Sequence, residues 1–400
     1  MLILENRILE AMDEPKGKEK PQNTWRSSIS ITEKLMTLAA IWPMEKTTIF
    51  QGIKIVIFGV AVVLFNVSSV VELRNLLMKG DYEVLSTHLP TFGPYLGYLS
   101  KIIIFLFKRR EFRKMLEIME SPIFEDYSPE MQKYKDKCIV VSNKIATFYS
   151  SCVGASVFLY LAKPLYTEFN LPMNFSYKLS LGPYLLVLAW QCFSSYYLVM
   201  TGVCFGLITL GLMNVATAQL DILSKTITSF KPKNMTLSEK EEQCFLRKCA
   251  KKHQTIISFV AEIENVFSFL FLAQCLASVA SICNGAFQLT HTEDILSIRF
   301  LFNCAFAFDV LFEIGICFWF GNLLTIKSLQ VSDACFNYEW VNSSTSTKKI
   351  LLIILTQSQR PLYLTVGRFA RLSMTSYLMI LKTAYSYFAL MQSLYDNQAL

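Results

Sequence analysis

The chain has 400 residues, of which 53% are hydrophobic, 14% aromatic and only 17% charged, and its mean hydropathy is +0.37. A water-soluble globular domain carries roughly 25% charged residues, so the composition points to a polytopic, all-α membrane protein that meets lipid and no nucleic acid. The 11 Cys form no CxxC pair and no His/Cys cluster at metal spacing; free thiols, no metal and no cofactor are the expectation.

In chain order, the start MLILENRILEAMDEPKGKEKPQ lacks the basic opening and unbroken apolar core of a cleaved signal peptide. Residues 1–47 are therefore expected to stay as an N-terminal segment. Seven apolar runs follow, at about 48–71, 84–107, 143–163, 184–212, 259–288, 297–324 and 372–394. Each approaches the roughly 20 residues that cross a hydrocarbon core of about 30 Å. The connecting stretches 108–142 and 213–258 are rich in Glu and Lys and should extend spans out of the membrane as amphipathic helices. The run Ile350 to Leu355, between Lys349 and Arg360, is too short to cross and reads as a helix within an anchor and assembly segment, 325–371. Residues 372–400 hold the seventh helix and a short tail.

Lys and Arg set the orientation. The N-terminal segment and the loops after spans two, four and six hold 30 of them, and the opposite loops hold 5. The N-terminus is thus expected in the cytoplasm and the C-terminus outside, the reverse of a G-protein-coupled receptor. Of the N-x-S/T matches, only Asn174 falls in an outside loop, so it is the expected glycan site.

No GxSxG, HExxH or P-loop is present, so no enzymatic chemistry is expected. Paired halves with matching broken helices, the mark of an alternating-access transporter, are not seen.

The C-terminal third reads SLQVSDACFNYEW and then QSQRPLYLTVGRFARLSMTSYLMILKTAYSYFALMQSL. The segment Ser328 to Trp340, the Pro361–Gly367 turn, the SYF at Ser386 to Phe388 and the IWP at Ile41 to Pro43 together resemble the insect odorant receptor family. That resemblance implies a ligand-gated, non-selective cation channel in the plasma membrane of olfactory sensory neurons. It implies a heterotetramer with a shared co-receptor, a central pore lined by each seventh span, and a pocket for a small volatile apolar ligand in the outer half of each subunit. The co-receptor of that family carries a long insertion between spans four and five, and here Met213 to Ser258 is short, which resembles a tuning subunit. Two alternatives stay open. One is a gustatory receptor of related fold, whose signature places Gln six residues after Tyr, where here Gln392 follows Tyr387 by five. The other is a transporter or a scaffold that conducts nothing.

In the last span Lys382, Ser386, Leu390 and Leu394 follow i, i+4 spacing and share one ridge. Counted from Leu372, Lys382 lies about 15 Å into the membrane at ~1.5 Å per residue, where only water or a paired charge could accommodate it. Leu390 and Leu394 match the family's gate positions and could close a pore by dewetting; Gln392 flanks them. A packed span with a paired Lys is the plainer account of the same residues. Asp309 and Glu313, one turn apart in the sixth span, are expected to compensate Lys382 or Lys101.

For the pocket, the outer half of span two reads STHLPTFGPYLGY, broken by Pro90, Gly93 and Pro94. His88, Thr91, Phe92 and Tyr95 are candidates there, and His88 would suit a carbonyl or hydroxyl ligand. Ser151, Gly154 and Phe158 share a face of span three, a pattern that also resembles the family's lining. Trp190, Phe193 and Tyr197 in span four and Phe302 and Phe306 in span six complete the ring of candidates. Aromatic stripes at helical spacing also pack ordinary cores. The inner ends of spans four to six, with 328–371, are expected to form the assembly interface.

Overall fold

The computed structural model describes residues 24–42, 49–79, 95, 97–162, 164, 180–230, 239–290 and 297–398. Seven span helices run Ile49–Lys79, Gly97–Phe107, Gln132–Leu161, Leu181–Ser229, Glu239–Thr290, Ile298–Phe336 and Met374–Gln398. Five of them, all but the second and seventh, are long and apolar enough to cross a membrane. The seven correspond one to one with the seven apolar runs of the sequence.

Several spans extend well beyond membrane depth. The fourth has 49 residues and the fifth 52, or about 75 Å each at ~1.5 Å per residue. The third begins at Gln132, eleven residues before its apolar run. No Gly or Pro interrupts 213–229, so the helix continues once it leaves the apolar stretch. It stops at Ser229, three residues before Pro232, because the residue before a proline disfavours helical backbone. Ser297 caps the sixth span by accepting from the Phe300 amide at 3.1 Å, and Ser373 caps the seventh by accepting from the Ser376 amide at 3.2 Å.

These extensions, with shorter helices at Ser30–Leu38, Arg109–Met119 and Thr345–Ser358, gather at the end of the bundle that carries the basic loops. Their core is dense. Phe105, Phe112, Phe124, Phe259 and Phe267 are all buried and meet edge to face, with centroids 4.9 Å apart for Phe105–Phe112 and 5.5 Å for Phe124–Phe259. The Phe124 carbonyl accepts from Trp25 Nε1 and Gln219 Nε2, both at 3.1 Å. Glu242, near the start of the fifth span, accepts from Tyr338 Oη at 2.8 Å, Ser343 Oγ at 2.6 Å and Thr347 Oγ1 at 3.3 Å. Burial and then the Glu242 carboxylate push the Tyr338 phenol well above its ordinary range, so it remains a neutral donor to that carboxylate.

The link into the seventh span is a hairpin. Strands β1 (Thr365–Val366) and β2 (Ala370–Arg371) pair antiparallel. Gly367 at φ +60 and Arg368 at φ +67 supply the two left-handed residues of a type I′ turn. The hairpin is held to the fifth span: the Gly367 amide donates to the Ser268 carbonyl at 2.8 Å, and the Thr365 amide and hydroxyl both donate to the Glu264 carboxylate. A methyl group at Gly321 would stand 2.5 Å from Leu372 Cβ, so the glycine lets the seventh span start hard against the sixth.

Candidate functional site

A cavity of about 60 Å³ lies among spans two, three, four and six. Span two contributes Tyr95 and Tyr98; span three contributes Tyr149, Val153, Ser156, Val157 and Tyr160; span four contributes Ser195, Val199 and Val203. Span six supplies Phe302, Phe306, Asp309, Val310 and Glu313. The walls are aromatic and aliphatic, with Ser156, Ser195, Asp309 and Glu313 among them. Tyr160 and Phe302 rings lie 5.6 Å apart, and Phe302 stacks on Phe306 at 6.0 Å.

At Glu313, Lys101 Nζ is 3.3 Å from Oε1, and both side chains are almost fully buried. Gln274 Nε2 donates to the other carboxylate oxygen at 2.8 Å. The ammonium of Lys101 also sits 5.1 Å from the Tyr98 ring centroid, within cation–π reach. Of the two cations considered as partners for the span-six carboxylates, Lys101 is the one that pairs. Lys382 is exposed on the seventh span, and no described carboxylate pairs with it.

Of the residues singled out from sequence, Tyr95, Phe302 and Phe306 line this cavity. Ser151, Gly154 and Phe158 do not: Phe158 is 72% exposed, Ser151 is exposed, and open space surrounds the position of a Cβ on Gly154. The cavity-facing side of span three is instead Tyr149, Val153, Ser156, Val157 and Tyr160. The fourth-span aromatics also lie elsewhere. Trp190 Nε1 donates to the Ala61 carbonyl at 3.2 Å, Phe193 packs 5.4 Å from Phe58, and Tyr197 Oη donates to the Ala39 carbonyl at 2.9 Å. These three tie the first span and the N-terminal helix to the bundle. His88, Thr91, Phe92 and Asn174 lie outside the described residues.

The seventh span has two unlike faces. Ala384 is fully buried, Met391 Sδ lies 3.3 Å from Cys283 Sγ on the fifth span, and Gln392 is half-buried. On the other face Lys382, Ser386 and Leu390 are exposed, Leu390 at 55%. They form one ridge, and Ser386 Oγ donates to the Lys382 carbonyl at 3.0 Å. The side chain of Leu394 lies outside the described residues.

A family model described as "7tm Odorant receptor" matches residues 81–385. The chain belongs to this odorant receptor family. Among curated relatives, putative odorant receptor 92a of Drosophila melanogaster is 24% identical over 195 residues, 48% of this chain and 46% of the relative. Odorant receptor 10 of Aedes albopictus is 25% identical over 178 residues, 44% of this chain and 47% of the relative. These matches span about half the length of those relatives. Odorant receptor 13a of Drosophila melanogaster aligns over more, 75% of this chain and 78% of the relative, at 24% identity. Among solved structures, the insect olfactory receptor OR5 from Machilis hrabei, in complex with eugenol, superposes with a TM-score of 0.77. The superposition covers 92% of this chain and 98% of that one, at 14% identity. That likeness establishes the fold, the one that insect olfactory receptors have. In this odorant receptor the matched stretch includes the described cavity lining and Lys382, and ends before Leu390.

Proposed function

We propose that this odorant receptor is the ligand-tuning subunit of a ligand-gated, non-selective cation channel assembled with the family's co-receptor in the plasma membrane of olfactory sensory neurons. A small volatile ligand enters the cavity among spans two, three, four and six, and its binding opens a pore bordered by the seventh span. The observation that carries this reading is the pairing of an aromatic cavity with an exposed ridge of Lys382, Ser386 and Leu390 on the seventh span. Leu390 and Leu394 act as the constriction, and Gln392 flanks them for subunit contact or ion hydration. The basic loops orient the N-terminus to the cytoplasm, which leaves Asn174 outside as the glycan acceptor. The extended ends of spans four to six, with residues 328–371, form the assembly surface. The short connection between spans four and five supports a tuning subunit over the co-receptor.

The test is whole-cell current evoked by a panel of volatiles, with the chain expressed alone and then with an insect co-receptor. A fast inward cation current only on co-expression, insensitive to G-protein blockers, is the expected result. Current from the chain alone would replace the heteromer with a homomer. Silence in both, with the chain at the cell surface and a volatile shown to bind it, would sink the channel reading.

A further inference from the structure

We propose that the cavity is built for a small protonated amine whose ammonium pairs with Asp309 and whose carbon body rests on the surrounding tyrosine and phenylalanine rings. This deepens the ligand-binding reading above and rests on it. Two carboxylates, Asp309 and Glu313, border the cavity, and one buried cation serves them. Lys101 is committed to Glu313, which Gln274 also satisfies. Asp309 is 93% removed from solvent, and among the described residues it has no cation. The Ser156 hydroxyl stands beside it as a hydrogen-bond donor and also reaches the Cys152 carbonyl at 3.2 Å, but it brings no positive charge. A buried carboxylate without a cation is costly, and the cost is removed when a positive partner arrives. Two carboxylates thus border the cavity against one described cation.

The walls suit the same ligand. Tyr95, Tyr98, Tyr149 and Tyr160 surround the cavity, and electron-rich ring faces attract an ammonium that has left water. Lys101 already shows this contact with Tyr98. Size fits as well: about 60 Å³ holds a ligand of a few heavy atoms without displacing the walls, since one water needs roughly 10–15 Å³ by the same measure. An alkylamine is volatile as the free base and protonates near a pKa of about 10, as the Lys side chain does. It can therefore arrive through air and bind as a cation.

The experiment compares n-butylamine, 1-butanol and butyrate, which share a carbon chain and differ in head group. Two readings are taken: thermal unfolding of the full-length purified chain in detergent, and current on co-expression with an insect co-receptor. Butylamine should stabilise the chain and act at concentrations about tenfold to a hundredfold below 1-butanol, the span expected of a hydrogen bond to a charged group. Butyrate should do neither. Asp309→Asn should bring butylamine down to the level of 1-butanol. The wild-type comparison stands by itself if that variant does not fold. Equal responses to butylamine and 1-butanol, no thermal shift with butylamine, or a butylamine response unchanged in Asp309→Asn would each overturn the proposal. Butylamine binding without current would instead break the channel reading and leave this one standing. Current from 1-butanol with none from butylamine would do the reverse.

Discussion

The two halves of the fourth span differ sharply although both are apolar. Of residues 201–220, nineteen are buried; of residues 181–200, four are. The first group runs into the core at the basic end, where helices pack on every side. The second group has exposed positions such as Leu185 and Leu186 and touches the cavity through Ser195 and Val199. One helix therefore joins a rigid base to a loosely surrounded upper half. Close-packed interiors tolerate little change in volume, whereas a cavity wall can shift to fit a ligand. The cavity lies where adjustment is inexpensive, and the base gives the seventh span a fixed origin.

The largest effect should come from opening the base. Phe112 is fully buried between Phe105 and Phe267. Phe112→Ala should cost about 3–5 kcal/mol, as large-to-small core changes do. The readout is a lower unfolding temperature, or loss of the folded peak, for purified full-length protein. An equally large loss from Val199→Ala at the cavity wall would erase the contrast between the halves.

Next comes the buried pair below the cavity. Lys101→Met strands Glu313 in an apolar site, and removing one partner of a buried pair costs roughly 3–5 kcal/mol. The double change Lys101→Met with Glu313→Gln should recover more than half of that, because no buried charge is left there unpaired by the change. If the single and double variants melt together, the 3.3 Å contact contributes no coupling.

A smaller effect is expected at the hairpin. Glu264→Ala removes the acceptor for the Thr365 amide and hydroxyl. Two donors near the membrane lose their partner at a cost of about 1–3 kcal/mol. The hairpin sets the start of the seventh span, so hydrogen exchange at 364–372 should rise before global stability falls. Unchanged exchange there would mean that Leu372 against Gly321 is enough to seat the span.

The seven crossings were legible in the sequence because a hydrocarbon core demands apolar length, and length survives any error in rotation. The helical extensions were legible too, from the Glu- and Lys-rich stretches 108–142 and 213–258. Rotation was the weak point. In span three, Ser151, Gly154 and Phe158 and the observed Val153, Val157 and Tyr160 share the same period and differ in phase. When lipid and protein are both apolar, period does not reveal which side faces in. The polar residues carried the better signal. Ser156, Ser195, Asp309 and Glu313 all turn toward the cavity or its floor, as polar groups in a membrane must. In span four the large aromatics drew attention from small Ser195, yet Trp190 and Tyr197 serve as hydrogen-bonded struts to the first span and the N-terminal helix.

The smallest effect on stability should come from Leu390, and that is what makes it informative. Its side chain is 55% exposed in the subunit, and surface changes away from packed sites usually move stability by no more than about 0.5 kcal/mol. Leu390→Ala should therefore fold and reach the membrane like the parent chain. If the ridge borders a pore, shortening that apolar side chain should ease wetting of the constriction and raise the current seen without ligand. Lys382→Gln, on the same exposed ridge, should raise cation conductance by removing a positive charge from the ion path without leaving any described carboxylate unpaired. A Leu390→Ala channel with unaltered resting current, together with a Lys382→Gln channel of unaltered conductance, would place this ridge against lipid or a neighbouring subunit. The contrast would then be between a packed base and a loose upper half with no pore at the seventh span.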